Sequence, residues 1–394
     1  HDNNDLRKIS QLEISGSDQK LYQLLRRYVT NFGIGNFTND IDLLWKLAKL
    51  SQEHGAPGES ILLYKLILKH HTQNTWGRQA RSEFDSLMEN KRDYYVPLQE
   101  YYELVEYRKE VDTLRPPHGV LIRMPDWVNS SSEDYGPAIG NMDSILLFTS
   151  KRNSLRTSVD RQVNEDLFFT MRIAGQWETA LDFKTINTRY NEGSACLSMD
   201  GKTLYFARCN SPDSYGNCDI FRAELSADST WGNVKNLGDK INTSAWDSHP
   251  SLSHSGDTLF FASDRLGGFG LTDIYFSVKG RSGEWTAPKN MGPTINTRGS
   301  EVSPFFHHRF NVLYFSSNGQ PLTFGDFDIY KSYASGHTWD EPKNIGPLVN
   351  GPGSEYYFTI DSESSHLYYG RSEQEDGLNL DLHSFPVPME AQPE

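Results

Sequence analysis

From residue 118 onward, apolar runs of four or five residues recur, separated by stretches rich in Gly, Asn, Asp, Ser and Pro. One run has the form Thr258-Leu-Phe-Phe-Ala262. Its counterparts are Ile145-Leu-Leu-Phe-Thr149, Thr203-Leu-Tyr-Phe-Ala207, Val312-Leu-Tyr-Phe-Ser316 and His366-Leu-Tyr-Tyr-Gly370. A second run starts on an aspartate: Asp166-Leu-Phe, Asp219-Ile-Phe, Asp273-Ile-Tyr, Asp328-Ile-Tyr and Asp381-Leu-His. Short segments rich in β-branched and aromatic residues and bounded by turn formers predict strands. They are apolar on both faces, so both faces must be covered. A tryptophan follows each of the first four pairs, at 177, 231, 285 and 339, a constant spacing of 54 residues. The text after it repeats as well, as in Trp285-Thr-Ala-Pro-Lys-Asn and Trp339-Asp-Glu-Pro-Lys-Asn. A fixed period of this length marks a repeat architecture, and four short strands per unit make one blade of a β-propeller. The pattern predicts five blades, near 134–188, 192–243, 247–297, 301–351 and 355–385, in a domain spanning 118–388 with a tail at 389–394.

The fifth repeat ends near Phe385 without a Trp segment, so one outer strand is missing. Ahead of the first repeat, Val128-Asn-Ser-Ser-Ser-Glu-Asp134 aligns with Ile241-Asn-Thr-Ser-Ala-Trp-Asp247. Residues 120–128 are therefore expected to give the last blade its outer strand and remove an open sheet edge that would invite association.

Residues 1–117 follow a helical period instead. Leu21, Leu24, Leu25, Tyr28 and Val29 share one face. Asn36–Asp40 offers N-cap residues before Ile41, Leu44, Leu47 and Ala48. A turn at 54–58 leads to a helix carrying Ile61, Tyr64, Ile67 and Leu68. Amphipathic runs follow at 72–90 and 97–114, and Arg115-Pro-Pro-His-Gly119 breaks the pattern. Leu47-Ala48, Gly55, Tyr64 and Ile67 make the first helix pair similar to a single tetratricopeptide unit. The predicted fold class is thus multidomain, a helical tetratricopeptide-like domain followed by an all-β propeller.

The chain has 394 residues and a net charge of −14. Residues 1–117 hold 16 Lys+Arg against 17 Asp+Glu, leaving 22 against 35 in the repeat region, a net of −13. So acidic a surface argues against nucleic-acid binding, which needs basic patches to neutralise phosphates. No run of 18 apolar residues is present, so no transmembrane helix is expected. The chain begins at His1 with no n-region or h-region, from which a signal peptide is expected to have been removed. Cys196 lies in a strand pattern as a small hydrophobe. Cys209 and Cys218 flank a turn-rich loop between two strands, and either pair as a disulfide or stay as two thiols; the disulfide is the expectation and implies an oxidising compartment.

The segment Asp247-Ser-His-Pro-Ser-Leu-Ser-His-Ser-Gly-Asp-Thr-Leu-Phe-Phe-Ala-Ser-Asp-Arg265, with Asp273-Ile-Tyr beyond it, resembles the propeller repeats of TolB and its relatives. The version with Trp, Pro-Lys-Asn and Ile-Asn-Thr is similar to periplasmic proteins of Bacteroidetes, in which tetratricopeptide helices precede a propeller and an OmpA-like peptidoglycan-binding domain follows. Some of these belong to type IX secretion and gliding machinery. The chain ends at Glu394 without an OmpA-like domain, and TolB itself has six blades and a different N-terminal domain. The resemblance implies a periplasmic, outer-membrane-associated protein whose partners are other envelope proteins.

Asp134, Glu192, Asp247, Glu301 and Glu355 hold the same place in every repeat, just before the first strand. They are expected to ring one mouth of the central channel, either as a port for a cation or basic peptide or as backbone-binding groups tying blades together; five-fold repetition favours the second. The aspartates that open the second type of run are expected to bond backbone at strand starts. Tyr215, Phe269 and Phe324 are candidate contact aromatics, since such residues concentrate binding energy. The chain has no His-Glu-x-x-His, no Gly-x-Ser-x-Gly and no Gly-Lys-Ser/Thr phosphate loop, so no catalytic, metal or cofactor-binding residue is expected and no cofactor. The function read from the sequence is a non-enzymatic interaction scaffold. The alternatives are a propeller glycan lyase or hydrolase, and a cell-wall-binding module.

Overall fold

The computed structural model describes residues 3–32, 41–54, 60, 63–64, 67, 75–88, 122–140, 143–152, 165–307, 309–336, 338–351, 353–372, 380–388 and 391–393. The cap at 36–40, the turn at 55–58, the run at 97–114 and the break at 115–119 lie outside these residues. Four helices are described at the N-terminus: Asn3–Ser15, Asp18–Phe32, Ile41–His54 and Thr75–Met88. The three- and four-residue spacing of Leu21, Leu25, Tyr28, Leu44, Leu47 and Ala48 puts them in one buried cluster with Tyr64, Ile67, Ala80 and Phe84. Ion pairs cross the helix seams, Arg27 to Asp5 at 3.2 Å, Lys46 to Glu13 at 2.6 Å and Lys49 to Glu83 at 2.5 Å. Phe269, from the propeller, packs against this helical cluster.

The rest is a five-bladed β-propeller, each blade a small antiparallel sheet with strands in sequence order from the axis outward. Blade 1 runs Asp134–Gly140, Ile145–Ser150, Asp166–Ile173 and Gln176–Trp177. Blade 2 runs Asn191–Leu197, Thr203–Cys209, Cys218–Leu225 and Trp231–Asn236. Blade 3 runs Asp247–Leu252, Thr258–Ser263, Asp273–Val278 and Lys289–Asn290. Blade 4 runs Glu301–Phe306, Val312–Ser317, Asp328–Ser335 and Thr338–Trp339. Blade 5 runs Phe358–Ile360, His366–Ser372 and Leu380–Pro386. On its outer side Ile122–Arg123 pairs antiparallel with Leu380–Pro386, Ile122 opposite Ser384 and Arg123 opposite His383.

An asparagine clip repeats at every seam. Asn242 accepts the Ile220 N–H at 2.8 Å and donates to the Ile220 carbonyl at 2.9 Å. Asn187 does the same to Leu167, Asn296 to Ile274 and Asn350 to Ile329. The fifth clip is Asn129, which bonds the N–H and carbonyl of Leu382 at 2.8 and 3.0 Å across 253 residues of sequence.

The period tryptophans pack backward onto the preceding blade. Trp231 meets Phe183, Trp285 meets Tyr205 and Trp339 meets Phe260, each edge-on with centroids 6.2–6.3 Å apart. Trp177 meets Tyr368 of blade 5 at 5.9 Å. Edge-to-face pairs of this kind add to plain area burial, so one residue per repeat orders the ring.

Candidate functional site

The innermost strand of each blade carries a kink. Two residues after the repeated acid, the backbone enters the left-handed region: Gly136 at φ 66°, Ser194 at 50°, His249 at 53°, Ser303 at 51° and Tyr357 at 59°. In blades 1 to 4 the pairing register shifts at this point, the mark of a β-bulge, and bulges re-aim side chains at strand edges. All five residues line the axial cavity of ≈ 70 Å³. A five-fold backbone device thus presents an asymmetric set: a hydrogen, a hydroxyl, an imidazole, a hydroxyl and a phenol.

His249 is the centre of this set. Its Nδ1 accepts the Ser303 N–H at 3.2 Å, which places the ring proton on Nε2, and Nε2 donates to the Tyr357 hydroxyl at 3.2 Å. Burial pushes the imidazole pKa down to about 3, so the ring stays neutral. Burial also pushes the Tyr357 phenol up, so it stays protonated. Trp246 stands edge-on to the His249 ring at 4.9 Å, and Tyr135 lies 5.2 Å from the Tyr357 ring. Tyr135 donates to Glu165 at 2.6 Å. Lys151 pairs with Glu133, lies 3.9 Å from Glu165, and sits over the Tyr135 ring. Behind His249 and Tyr357 thus stands an aromatic cluster, with a cation and two half-buried carboxylates on its blade 1 side. Sequence reading missed this cluster. Its signal was the changing residue two places after an unchanging acid.

The five acids stand at the blade seams, outside the lining of the cavity. All are buried. Each accepts the backbone N–H four residues upstream: Ser130, Thr188, Thr243, Thr297 and Gly351. In blades 1 to 3 an arginine completes the site, Arg152 to Asp134 at 2.6 Å, Arg208 to Glu192 at 2.7 Å and Arg265 to Asp247 at 2.5 Å. The same guanidinium groups bond the carbonyls of Val128, Ile186 and Ile241 at the end of the preceding outer strand. In blade 4 two residues divide that work, Ser317 donating to Glu301 and Gln320 to the Ile295 carbonyl. Among the described residues no cation bonds Glu355, and burial pushes its carboxyl up to about 8.

The second set of aspartates shapes the loops that share this face. Asp219 accepts the N–H groups of Tyr215 and Gly216, Asp273 those of Phe269 and Gly270, and Asp328 those of Phe324 and Gly325. Asn236, Asn290 and Asn344 donate to the same carboxylates at 2.7 Å. The three candidate aromatics thus hold equivalent positions in blades 2, 3 and 4. Tyr215 is 55% exposed, while Phe269 and Phe324 are half-buried, Phe269 against the helices. Nearby Leu266 and Leu271 are exposed. Cys209 and Cys218 form a disulfide at the base of the blade 2 loop, opposite each other in register.

No family profile and no curated protein matches this chain. Among solved structures it is similar to a putative TolB from Agrobacterium tumefaciens, at 14% identity and a TM-score of 0.42, over 68% of this chain and 90% of that one. It is also similar to an α-L-arabinofuranosidase from Lactobacillus brevis, at 13% identity and a TM-score of 0.44, over 69% and 97% of the two chains. A third is the GH43 endo-arabinanase from Bacillus licheniformis, at 12% identity and a TM-score of 0.42, over 66% and 95%. At these identities the likeness concerns the fold. It corrects one expectation: propeller structures similar to this one include glycosidases, so repeated scaffold positions and missing short motifs do not make the chain a non-enzyme. The physical reason is that a ring of structural polar groups leaves the channel mouth free to carry a different, asymmetric set, as it does here.

Proposed function

We propose that this chain is a protein-binding component of a bacterial cell-envelope assembly, working in the periplasm at the outer membrane. The observation that carries it is the loop face around the channel mouth. There Tyr215, Leu266 and Leu271 are 55%, 102% and 71% exposed, on loops whose backbone is fixed by buried aspartates. Large apolar side chains on rigid, pre-organised loops are the features of a protein contact surface. The disulfide favours an oxidising compartment, and no helix among the described residues is long and apolar enough to cross a membrane. The repeat text resembling periplasmic Bacteroidetes proteins supports membership of a type IX secretion or gliding assembly, with the N-terminal helices as a second, tetratricopeptide-like binding platform.

The test is affinity capture from native envelopes with the wild-type chain and with Leu266→Glu/Leu271→Glu. The proposal expects stoichiometric outer-membrane partners that the double variant loses. Equal capture by both proteins rejects this surface.

A second reading, hydrolysis of a polysaccharide, is favoured by Glu133 and Glu165. Their side chains keep 23% and 32% exposure on either side of Lys151, and glycosidases work with two carboxylates facing one site. Polysaccharide cleavage by the isolated chain, abolished by Glu165→Gln, would establish this reading over the first.

A further inference from the structure

The C-terminal residues occupy the seam between blades 4 and 5 in a defined way. Tyr314 and Lys331 face each other across adjacent strands of blade 4. The Tyr314 hydroxyl donates to the Ala391 carbonyl at 2.7 Å, and the Lys331 ammonium donates to the Gln392 carbonyl. Val387 and Ala391 join the buried cluster of that seam. A tyrosine–cation pair thus holds a peptide by its main-chain carbonyls where blade 5 has no tryptophan segment.

The same register position holds a different pair in each blade. It is Leu147 with Phe169 in blade 1, Phe260 with Phe276 in blade 3 and Tyr368 with Ser384 in blade 5. Only blade 2 repeats the arrangement of blade 4, with Tyr205 opposite Arg222. Here the pair lines an open groove of ≈ 440 Å³ between blades 2 and 3, walled by Trp285. Tyr205 is 3% exposed and lines that groove, and its hydroxyl bonds no described residue. That hydroxyl opens on the groove and is not sealed from solvent, which leaves it able to donate to a ligand carbonyl there. The rim carries Arg222, Lys235, Lys240 and Lys279 against Asp239, Glu284 and the Glu224 that lies 3.5 Å from Arg222. Lys240 pairs with Glu284 at 3.0 Å, which leaves a small local excess of positive charge on a chain of net charge −14.

We propose that the groove between blades 2 and 3 is a peptide-binding site. It takes an extended, acidic segment of a partner protein, whose successive carbonyls accept from the Tyr205 hydroxyl and the Arg222 guanidinium, while its carboxylates meet the lysine rim. It lies on the outer side of the ring and stands independently of the loop-face surface proposed above.

The experiment uses a fluorescent peptide with the sequence of residues 387–394, which already shows this binding mode and is acidic, titrated against the whole chain. Saturable binding is expected, weakened at least tenfold by Tyr205→Phe or Arg222→Met and by added salt, and unchanged by Tyr314→Phe. Photo-crosslinking of the same peptide to the wild-type chain is expected to label residues 279–285, a readout that needs no variant to fold. Four results overturn the proposal: no saturation at about 1 mM peptide, wild-type affinity in both groove variants, label outside the groove, or displacement of the peptide by inorganic phosphate at equal concentration, which would mark a simple anion site.

Discussion

Glu355 and His249 show how one position in a repeat can change its chemistry while the backbone stays the same. Asp134, Glu192 and Asp247 each have an arginine; Glu355 bonds none among the described residues, and burial raises its carboxyl to about 8 from an ordinary 4.5. A raised pKa means the folded state holds a proton the unfolded chain releases. The associated stability is full below pH 4.5 and is lost as pH rises toward 8. His249, lowered to about 3 from 6.5, acts in the opposite sense, its contribution being lost as pH falls from 6.5 toward 3. Of these two groups, Glu355 is the one that acts between pH 6.5 and 8. Glu355→Gln keeps the acceptor for the Gly351 N–H and should gain at least about 1 kcal/mol on the wild type at pH 8, with no gain near pH 4. Denaturant unfolding at both pH values checks this, and an equal effect at the two rules out the protonation account. At this scale the sequence displayed the acids plainly, because they repeat. It hid His249 and Tyr357, because their partners come from blades 3, 4 and 5 and meet only across the axis.

At the scale of elements, the clip and the tryptophan do the joining. Each clip asparagine accepts the N–H of a third-strand residue and adds a second donor to its carbonyl, which also takes an outer-chain N–H, as Ile220 does from Leu237 at 3.1 Å. Leaving a buried backbone N–H unpaired costs about 1–3 kcal/mol. Asn129 makes the same two bonds to Leu382 as Asn242 makes to Ile220. Asn129→Ala and Asn242→Ala should therefore destabilise the propeller by similar amounts, roughly 2 kcal/mol, in denaturant unfolding. A neutral Asn129→Ala would show that the contact between blade 5 and the first residues of the propeller carries no load. The strands were legible because short β-branched and aromatic runs between turn formers have few other uses. The kink two residues past each acid was not legible. Ser, His and Tyr do not announce a left-handed backbone, and only the register shift reveals it.

For the whole molecule the decisive matter is the sheet edge. Leu380–Pro386 is flanked by Ile122–Arg123 on its outer side, and an uncovered strand is a template for pairing with another chain. A chain lacking residues 1–129 should expose that edge and associate, eluting as dimers or larger species in size-exclusion chromatography at micromolar concentration. A clean monomer with an unchanged melting temperature would show that this pairing is dispensable. Beside the described pairing of Ile122–Arg123, Met124, Val128 and Leu382 add to the seam in one buried cluster with Tyr368.

The sequence by itself determined the blade count, the inner strands and the repeated acids that bond backbone. These are local properties repeated with a fixed period, and repetition makes a local signal readable. Tertiary structure alone decided which side chains face the axis, which acids are buried in seams, and which groove stays open. Those outcomes depend on neighbours contributed by other blades, and the period carries no information about the differences between its copies. The Tyr205–Arg222 pair is the clearest case: in sequence it is one variant of a repeat, and only the tail lying on Tyr314 and Lys331 shows what such a pair can hold.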